Sequence, residues 1–202
     1  MATLLIEDPI FLRHVVPAGH PERPQRIAAV GEALADPLFA GLVRKTAPEA
    51  EPATATLAHA ESYVAEISAA VPAEGIAQLE ADTWLSPESY AVALHAVGAA
   101  CLAVDDVMGG AAANAFVAAR PPGHHAEGDR AMGFCLFNGA AIAARHAQKA
   151  HGVTRVAIVD WDVHHGNGTQ AIFWADPTVL YASTHQMPLY PGTGAVSETG
   201  AG

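Results

Sequence analysis

Two aspartates and a histidine alternate with apolar side chains in the stretch 155–168. Asp160, Asp162 and His164 follow a short β-branched run, 156–159, which predicts a buried strand of a parallel sheet. In an extended backbone alternate residues project from the same side, so these three side chains would converge at the carboxyl end of the strand. Open α/β sheets bind their ligands at that edge. Burying such groups is costly without a partner. A metal ion is the simplest partner, because Asp and His bind Zn²⁺ at ~2.0–2.2 Å.

A pair of adjacent histidines, His124 and His125, follows a predicted strand, 114–119, and a Pro-Pro-Gly turn. Imidazole titrates near neutral pH, so two histidines beside a metal ion could serve as general base and general acid. Each ring needs a partner that fixes which of its nitrogens carries the proton. Asp160 and Asn167 lie just outside the proposed ligand pair and are natural candidates for that role.

Each of these patterns also has a simpler interpretation. The aspartates and the histidine could form a salt-bridged strand end, although the alternation and the Gly-Asn-Gly turn at 166–168 favour a metal site. The histidine pair alone could be a surface turn, and Phe134 and Tyr190 could be core aromatics. Cys135 is interpreted as a small apolar filler. Six further histidines are expected to be structural or solvent-facing: His14, His20, His59, His95, His146 and His151.

Composition limits the possible classes of function. The chain has 202 residues, of which 51% are hydrophobic and 15% charged, so it is long enough for one globular domain with a sizeable core. The net charge of −11 disfavours a protein that tracks nucleic-acid phosphates. It favours the approach of cationic substrates, although solubility alone would also explain it.

The cysteines and the apolar stretches favour a cytoplasmic location. The two cysteines lie among apolar residues and indicate no disulfide framework, which fits a reducing compartment. The amino terminus lacks the basic region of a signal peptide. The longest apolar stretch, 90–107, contains His95 and ends in Asp105-Asp106, so we expect neither a membrane-spanning helix nor a membrane partner.

Predicted strands alternate with predicted helices along the chain. We expect strands at 3–6, 114–119, 156–159 and 179–183, with one or two more within 42–56. We expect helices from about 24 to 34, 59 to 72, 86 to 108, 138 to 151 and 169 to 174, and a surface connection at 73–82. Ser86 is the expected N-cap of the longest helix, with Pro87 at its first position. This order predicts a single α/β domain over 1–202, a three-layer α/β/α arrangement around a mostly parallel sheet.

Five motifs occur in a fixed order: His-Pro-Glu-Arg-Pro-x-Arg (20–26), Arg-Pro-Pro-Gly-His-His-Ala (120–126), Gly-Phe-Cys-Leu-Phe-Asn (133–138), Asp-Trp-Asp-Val-His-His-Gly-Asn-Gly-Thr (160–169) and Tyr-Pro-Gly-Thr-Gly (190–194). Together they resemble the zinc-dependent histone deacetylase and acetylpolyamine amidohydrolase family, in the form of its bacterial class II-like members. Each motif alone is modest evidence, but the set is highly specific and covers nearly the whole chain.

The resemblance implies an arginase/deacetylase-like fold and a set of catalytic residues. His125 is the implied general base and His124 its electrostatic neighbour. Asp160 is expected to bond His124, and Asn167 to bond His125. Some relatives carry Asp at the position of Asn167, so the neutral partner here should give His125 a lower pKa.

The resemblance also implies ligands and a substrate path. Asp162 and His164 correspond to two of three zinc ligands. Gly133, Phe134 and Tyr190 should line a narrow tunnel that takes an acyl-lysine-like chain.

Two further sites follow from the same resemblance. A structural potassium site is implied on main-chain carbonyls or hydroxyls of Asp160, Asp162, His164, Ser183 and Thr184. Arg26 corresponds to an arginine near the inner end of the pocket.

The chain departs from the family at its carboxyl end. The family takes its third zinc ligand, an aspartate, and a tyrosine that bonds the substrate carbonyl from segments downstream of 191–194. No Asp follows Asp176. We expect a fragment rather than a natural truncation. Loss of one oxyanion donor costs about 10²–10³ in rate, so the chain alone should be nearly inactive.

Three functions therefore stand for comparison. The leading hypothesis is a zinc amidohydrolase that acts on an acetylated lysine peptide or an acetylated polyamine. A truncated module that binds metal or acyl-lysine without turnover is the second. The third is an arginase-type ureohydrolase with two manganese ions, which the tandem histidines and the single Asp-x-Asp-x-His pattern disfavour.

Overall fold

The structure, a computed structural model, describes residues 2–202. Its strands are β1 (Thr3–Glu7), β2 (Val43–Thr46), β3 (Ala77–Glu80), β4 (Thr83–Leu85), β5 (Asn114–Ala118), β6 (Val156–Asp160) and β7 (Val179–Ser183). Its α-helices are α1 (Pro24–Leu34), α2 (Pro52–Ala55), α3 (Glu61–Ala69), α4 (Ser89–Met108), α5 (Gly139–His151) and α6 (Asn167–Phe173). Short 3₁₀ turns lie at Pro9–Leu12 and Pro37–Phe39.

Most of the strands are parallel, which confirms the predicted α/β class. In the part of the chain that the structure describes, β1 lies between β2 and β5 in one parallel sheet, and β6 pairs with β7 in another. Strands β3 and β4 form a separate antiparallel pair. The parallel strands are thus divided between two sheets, where the sequence predicted one.

An apolar cavity of about 850 Å³ lies between β5 and β6, with α4 and α5 also contributing to its lining. Val159 of β6 lines this cavity and is 60% exposed. The prediction that 156–159 is a fully buried strand is therefore wrong for the described residues. The apolar run was read correctly as a strand, but alternate residues along it are exposed.

Helix α4 packs against α5 and the first sheet. Val97 and Cys101 of α4 share one core cluster with Ile142 of α5, while Val92 and Ala99 pack with β1. By length and composition alone α4 could cross a membrane, contrary to our expectation for 90–107. In the fold it has the position of a core helix.

The helix ends show which capping predictions were right. Asn138 caps α5 by accepting a hydrogen bond from the backbone of Ala141 at 3.0 Å, and Gly152 ends it with a φ of 68°. Ser86 is not the N-cap of α4, which begins only at Ser89. The hydroxyl of Ser86 instead accepts a hydrogen bond from the backbone of Val15, so a tertiary contact has replaced the local one.

Two other segments differ from the sequence prediction. Residues 42–56 contain one strand, β2, as expected, but it is followed by the short helix α2, which was not expected. The supposed surface connection 73–82 contains β3, which pairs with β4 through an irregular register. Its sequence, Ala-Gln-Leu-Glu, alternates apolar and polar residues, but over only four positions, which is too short to predict a strand with an irregular register.

Candidate active site

The carboxyl end of β6 turns sharply because its aspartates bond their own backbone. Asp160 Oδ1 accepts the N–H of Asp162 at 3.1 Å, and Asp162 Oδ1 accepts the N–H of His164 at 2.8 Å. These are two successive Asx turns. The strand therefore ends at Asp160, and the prediction that all three side chains share one face of an extended strand is wrong. Asp160 points to the histidine pair, while Asp162 and His164 form a separate couple.

Asp162 and His164 fit a metal ion by their chemistry and their spacing. Asp162 Oδ1 lies 3.3 Å from His164 Nδ1, and the two side chains are 51% and 40% exposed. Neighbouring ligand atoms of a tetrahedral zinc ion are about 3.4 Å apart at ordinary bond lengths. A carboxylate oxygen and an imidazole nitrogen at this separation match two adjacent positions of such an ion.

His124 follows β5 by six residues and is paired with a carboxylate. Its Nδ1 lies 2.8 Å from Asp160 Oδ2, which also accepts a hydrogen bond from the Tyr181 hydroxyl at 3.2 Å. Burial opposes ionisation of Asp160, but the hydrogen bonds from His124 and from the backbone outweigh it and hold the pKa of Asp160 below its ordinary value. Asp160 is therefore ionised at neutral pH, and Nδ1 of His124 carries a proton.

His125 is almost fully buried and is paired with an amide. Its Nδ1 lies 2.9 Å from Asn167 Oδ1, and Asn167 Nδ2 donates to Glu127 Oε1 at 2.9 Å. Glu127 thus fixes which way the Asn167 amide faces. Because Asn167 presents an oxygen, Nδ1 of His125 carries the proton and Nε2 keeps its lone pair.

The pKa of His125 is lowered to about 4. Burial is the main cause, and the nearby His124 ring adds to it. The direction is the one we expected. The hydrogen bond to Asn167 raises the pKa of His125, but burial outweighs it, and the comparison with an Asp partner stays a prediction.

The histidine pair and the Asp162–His164 couple lie together. The ring centroids of His124 and His125 are 4.0 Å apart, and that of His125 lies 6.0 Å from His164. Tyr190 closes the group, with its ring 5.0 Å from His125 and 6.2 Å from His164. Residues from the loop after β5, the loop after β6 and the carboxyl-terminal segment therefore meet at one place.

Gly133 lies against this group, and Gly133 and the adjacent Phe134 have an unusual backbone. Both have positive φ, 58° and 69°, and Phe134 is the non-glycine residue with this conformation in the described chain. Such strain persists where the surroundings hold it, often at functional sites. A Cβ on Gly133 would lie 2.3 Å from the His125 ring. The backbone N–H groups of the two residues donate to Asp82 Oδ1 and Thr83 Oγ1 at 3.0 and 3.1 Å.

Three of the five residues named for a potassium site, Asp160, Ser183 and Thr184, lie together where β6 and β7 end. Asp160 and Ser183 are paired in register, and the backbone of Thr184 donates to the carbonyl of Asp160 at 2.9 Å. The hydroxyl of Ser183 is bonded to His185 Nδ1 at 2.9 Å. These contacts hold the ends of β6 and β7 together, and a potassium ion at this position stays a prediction.

A buried ion pair replaces the arginine that the resemblance suggested. Arg26 is exposed on α1, so its predicted place near the inner end of the pocket is wrong. The buried arginine is Arg120, which bonds both carboxylate oxygens of Glu22 at 2.7 and 2.8 Å and donates to the carbonyls of Phe11 and His14, both at 2.7 Å. This pair ties the first motif to the second and holds the segment that leads to His124.

Several residues that support the site were not predicted from the sequence. Glu22 and Arg120 lie inside two of the five motifs, and a pair of opposite charges there was the available signal. Glu127 and Tyr181 lie outside those motifs and carried no signal.

Comparison with known proteins gives a consistent result. The chain matches the sequence family described as the histone deacetylase domain over residues 20–202. An uncharacterized protein of Synechocystis sp. is 45% identical over 196 residues, which are 94% of this chain and 63% of that protein. A histone deacetylase-like amidohydrolase of Pseudomonas aeruginosa is 42% identical over 175 residues, covering 86% of this chain and 46% of that protein. The crystal structure of the HDA15 HD domain matches with a TM-score of 0.94 at 38% identity, covering 100% of this chain and 58% of that one.

Proposed function

The chain belongs to the histone deacetylase family, and we propose that it carries the acid–base and metal-binding part of an amidohydrolase that removes acetyl groups from acetylated lysine or an acetylated polyamine. The observation that carries this proposal is the position of His125. It is buried, neutral and oriented by Asn167, and the centroid of its ring lies 6.0 Å from that of His164, one of the two candidate zinc ligands.

His125 is suited to accept a proton from an attacking water. Its Nδ1–H is occupied by Asn167, so Nε2 is the free basic atom. The protonated ring can then return that proton to the leaving amine. General acid–base catalysis of this kind contributes about 10²–10⁴ in rate.

His124 is suited to stabilise charge rather than to transfer the proton. Asp160 holds it at 2.8 Å, so that negative charge stands directly behind its ring. His124 lies beside His125, with ring centroids 4.0 Å apart, and can therefore influence the proton affinity of that ring.

Asp162 and His164 would hold the zinc ion. When bound, the ion would polarise the amide carbonyl and lower the pKa of a bound water to roughly 7. The resemblance places a third ligand and a tyrosine donor in segments other than those described, and this chain spans 46–63% of the proteins with which it was compared. We therefore assign full activity to the longer protein and expect the 202-residue chain to be nearly inactive.

The substrate assignment rests on the tunnel residues and on charge. Gly133 and Tyr190 lie against the His125 ring, and together with Phe134 they would form the wall that an acyl-lysine-like chain contacts. The net charge of −11 favours a cationic lysine peptide or polyamine, and no nucleic-acid or membrane partner is proposed. We also propose that a potassium ion binds at the ends of β6 and β7. A cytoplasmic location is proposed because the two cysteines are free, as in a reducing compartment.

Release of acetate tests this function. The gene product, with any coding sequence that follows residue 202, is incubated with an acetyl-lysine peptide or an acetylated polyamine. We expect zinc-dependent release that falls by about 10²–10⁴ in His125→Gln, while His95→Gln on α4 is unaffected. Full activity of His125→Gln would refute the proposal.

The 202-residue chain is measured alongside. We expect a rate lower by at least about 10², and a robust rate from this chain would contradict the assignment of the missing groups. Binding of the peptide by the longer protein without acetate release would favour the non-catalytic module. Two bridged metal ions per chain would favour the ureohydrolase.

A further inference from the structure

A second group of metal-binding side chains lies where α4 meets α5. Nε2 of His146 and Nε2 of His151 each lie 2.7 Å from the same oxygen, Oδ1 of Asp105. One ligand atom from each of the three residues lies within 4.8 Å of the others. We call these residues the interhelix triad.

The triad is separate from the candidate active site. Helix α5 ends at His151 and leads into the amino end of β6, whereas Asp160 and the histidine pair lie at the carboxyl end of that strand. A five-residue strand is roughly 13 Å long. The triad also lies on two helices that contribute no residue to the proposed catalytic group.

The fold holds the two imidazoles toward one point. Asp105 lies in the last turn of α4, and the two histidines lie in the second half of α5. The histidine side chains are 20% and 24% exposed, so both rings are largely held by packing, whereas Asp105 is 48% exposed and free to adjust. The rings meet edge to face with centroids 5.9 Å apart.

Asp105 is a carboxylate at neutral pH. Burial opposes its ionisation, but hydrogen bonds from His151 and His146 outweigh this and keep the pKa of Asp105 below its ordinary value. Lys149 and Glu49 line the same surface depression of about 630 Å³ beside Asp105, and their opposite charges offset each other.

Two imidazole nitrogens and one carboxylate oxygen are the ligand set of zinc, copper and nickel sites. For a tetrahedral zinc ion, each Nε2–Oδ1 distance would lengthen from 2.7 Å to about 3.4 Å. Rotation of the exposed Asp105 side chain can supply that movement. Each ring would then carry its proton on Nδ1.

We propose that Asp105, His146 and His151 bind one divalent cation of the zinc, copper and nickel class, with water completing the coordination, and that this cation joins the carboxyl-terminal turns of α4 and α5. This site is independent of the proposed deacetylase function. A cation that binds the folded chain but not the unfolded chain also raises the apparent stability of the protein by mass action.

Zinc binding tests the proposal in a chain from which the metal-binding side chains of Asp162 and His164 have been removed. The 202-residue chain carrying Asp162→Asn and His164→Asn is stripped with a chelator and dialysed against micromolar ZnCl₂. We expect one zinc ion per chain. Adding His146→Gln and His151→Gln should weaken binding by roughly tenfold or more, whereas adding His95→Gln on α4 should not change it.

Two measurements guard against unfolding of the quadruple variant. Far-UV circular dichroism checks its helix content, and the resonances of His146 and His151 in the otherwise unaltered background chain should shift when ZnCl₂ is added. Any one of three results would overturn the proposal. These are no zinc in the chain carrying Asp162→Asn and His164→Asn, equal zinc content with and without the two His→Gln changes, or histidine resonances that do not shift.

Discussion

Acid should destabilise the fold through a buried histidine, His59, that cannot accept a proton where it lies. Its Nδ1–H donates to the carbonyl of Glu127 at 2.8 Å, and its Nε2 accepts the backbone N–H of Asn138 at 2.8 Å. Protonation of Nε2 would break the second bond. Burial is the main cause that lowers the pKa of His59 from 6.5 to about 4, and the hydrogen bond to Glu127 opposes it.

The sign and size of the effect follow from linkage. Between pH 6.5 and 4 the unfolded chain binds a proton at His59 that the folded chain does not, so stability is present above pH 6.5 and is lost as pH falls through this window. The full effect is about 3 kcal/mol, and about 2 kcal/mol of it is lost between pH 7.5 and pH 5.

Urea unfolding at the two pH values measures this loss. The wild-type chain contains other histidines, so the relevant quantity is the difference in pH dependence between wild type and His59→Gln. We expect that difference to be about 2 kcal/mol, whatever the stability of the variant at pH 7.5. His95→Gln, at a half-buried position of α4, is the control and should keep the wild-type pH dependence. If His59→Gln keeps it as well, or if His59 titrates near 6.5 by NMR, the reasoning is wrong.

Two further substitutions test packing around the site. Gly133→Ala should displace the ring of His125 and destabilise the chain by about 1–3 kcal/mol, because the added Cβ would lie 2.3 Å from that ring. Gly75 also has a positive φ, 71°, but open space around it, so thermal unfolding of Gly75→Ala and Gly133→Ala separates the clash from backbone strain. Equal losses of stability would refute the clash. Glu22→Gln should cost about 3–5 kcal/mol because it leaves its buried arginine partner uncompensated. Glu88→Gln, which breaks an exposed ion pair, should cost at most about 1 kcal/mol by urea unfolding, and equal costs would contradict this account.

Local patterns predicted the elements that carry strong signals of their own. The bounds of helix α5 were predicted almost to the residue because Asn138 and Gly152, which directly flank the helix, are typical capping residues. The start of helix α4 was placed two residues early, since Ser86 uses its hydroxyl for a tertiary contact with Val15. No rule of spacing along the chain identifies whether the hydroxyl of Ser86 or that of Ser89 accepts a hydrogen bond from a distant residue such as Val15.

The candidate site was predicted as a set of residues better than as a geometry. The expected contacts of His124 with Asp160 and of His125 with Asn167 are present because each ring needs an acceptor and few are available. The extended strand expected through His164 is absent, because the two Asx turns bend the chain after Asp160.

Contacts between distant segments account for the rest. The burial of Arg120 against Glu22 joins residues 98 positions apart, and the orientation of Asn167 by Glu127 joins residues 40 positions apart. Alternation and capping rules describe neighbours along the chain, so neither contact could be derived from them. The exposed side of β6 likewise depends on what lies beside the strand.

Zinc binding at the end of β6 tests the central claim most directly. The measurement uses the 202-residue chain with His146→Gln and His151→Gln, which removes the interhelix triad, and compares zinc content after dialysis with and without Asp162→Asn and His164→Asn. We predict that these two changes weaken zinc binding by roughly tenfold or more, and that the matched control, Asp36→Asn with His95→Gln, does not weaken it. Zinc binding that is unchanged by the loss of Asp162 and His164 would contradict it.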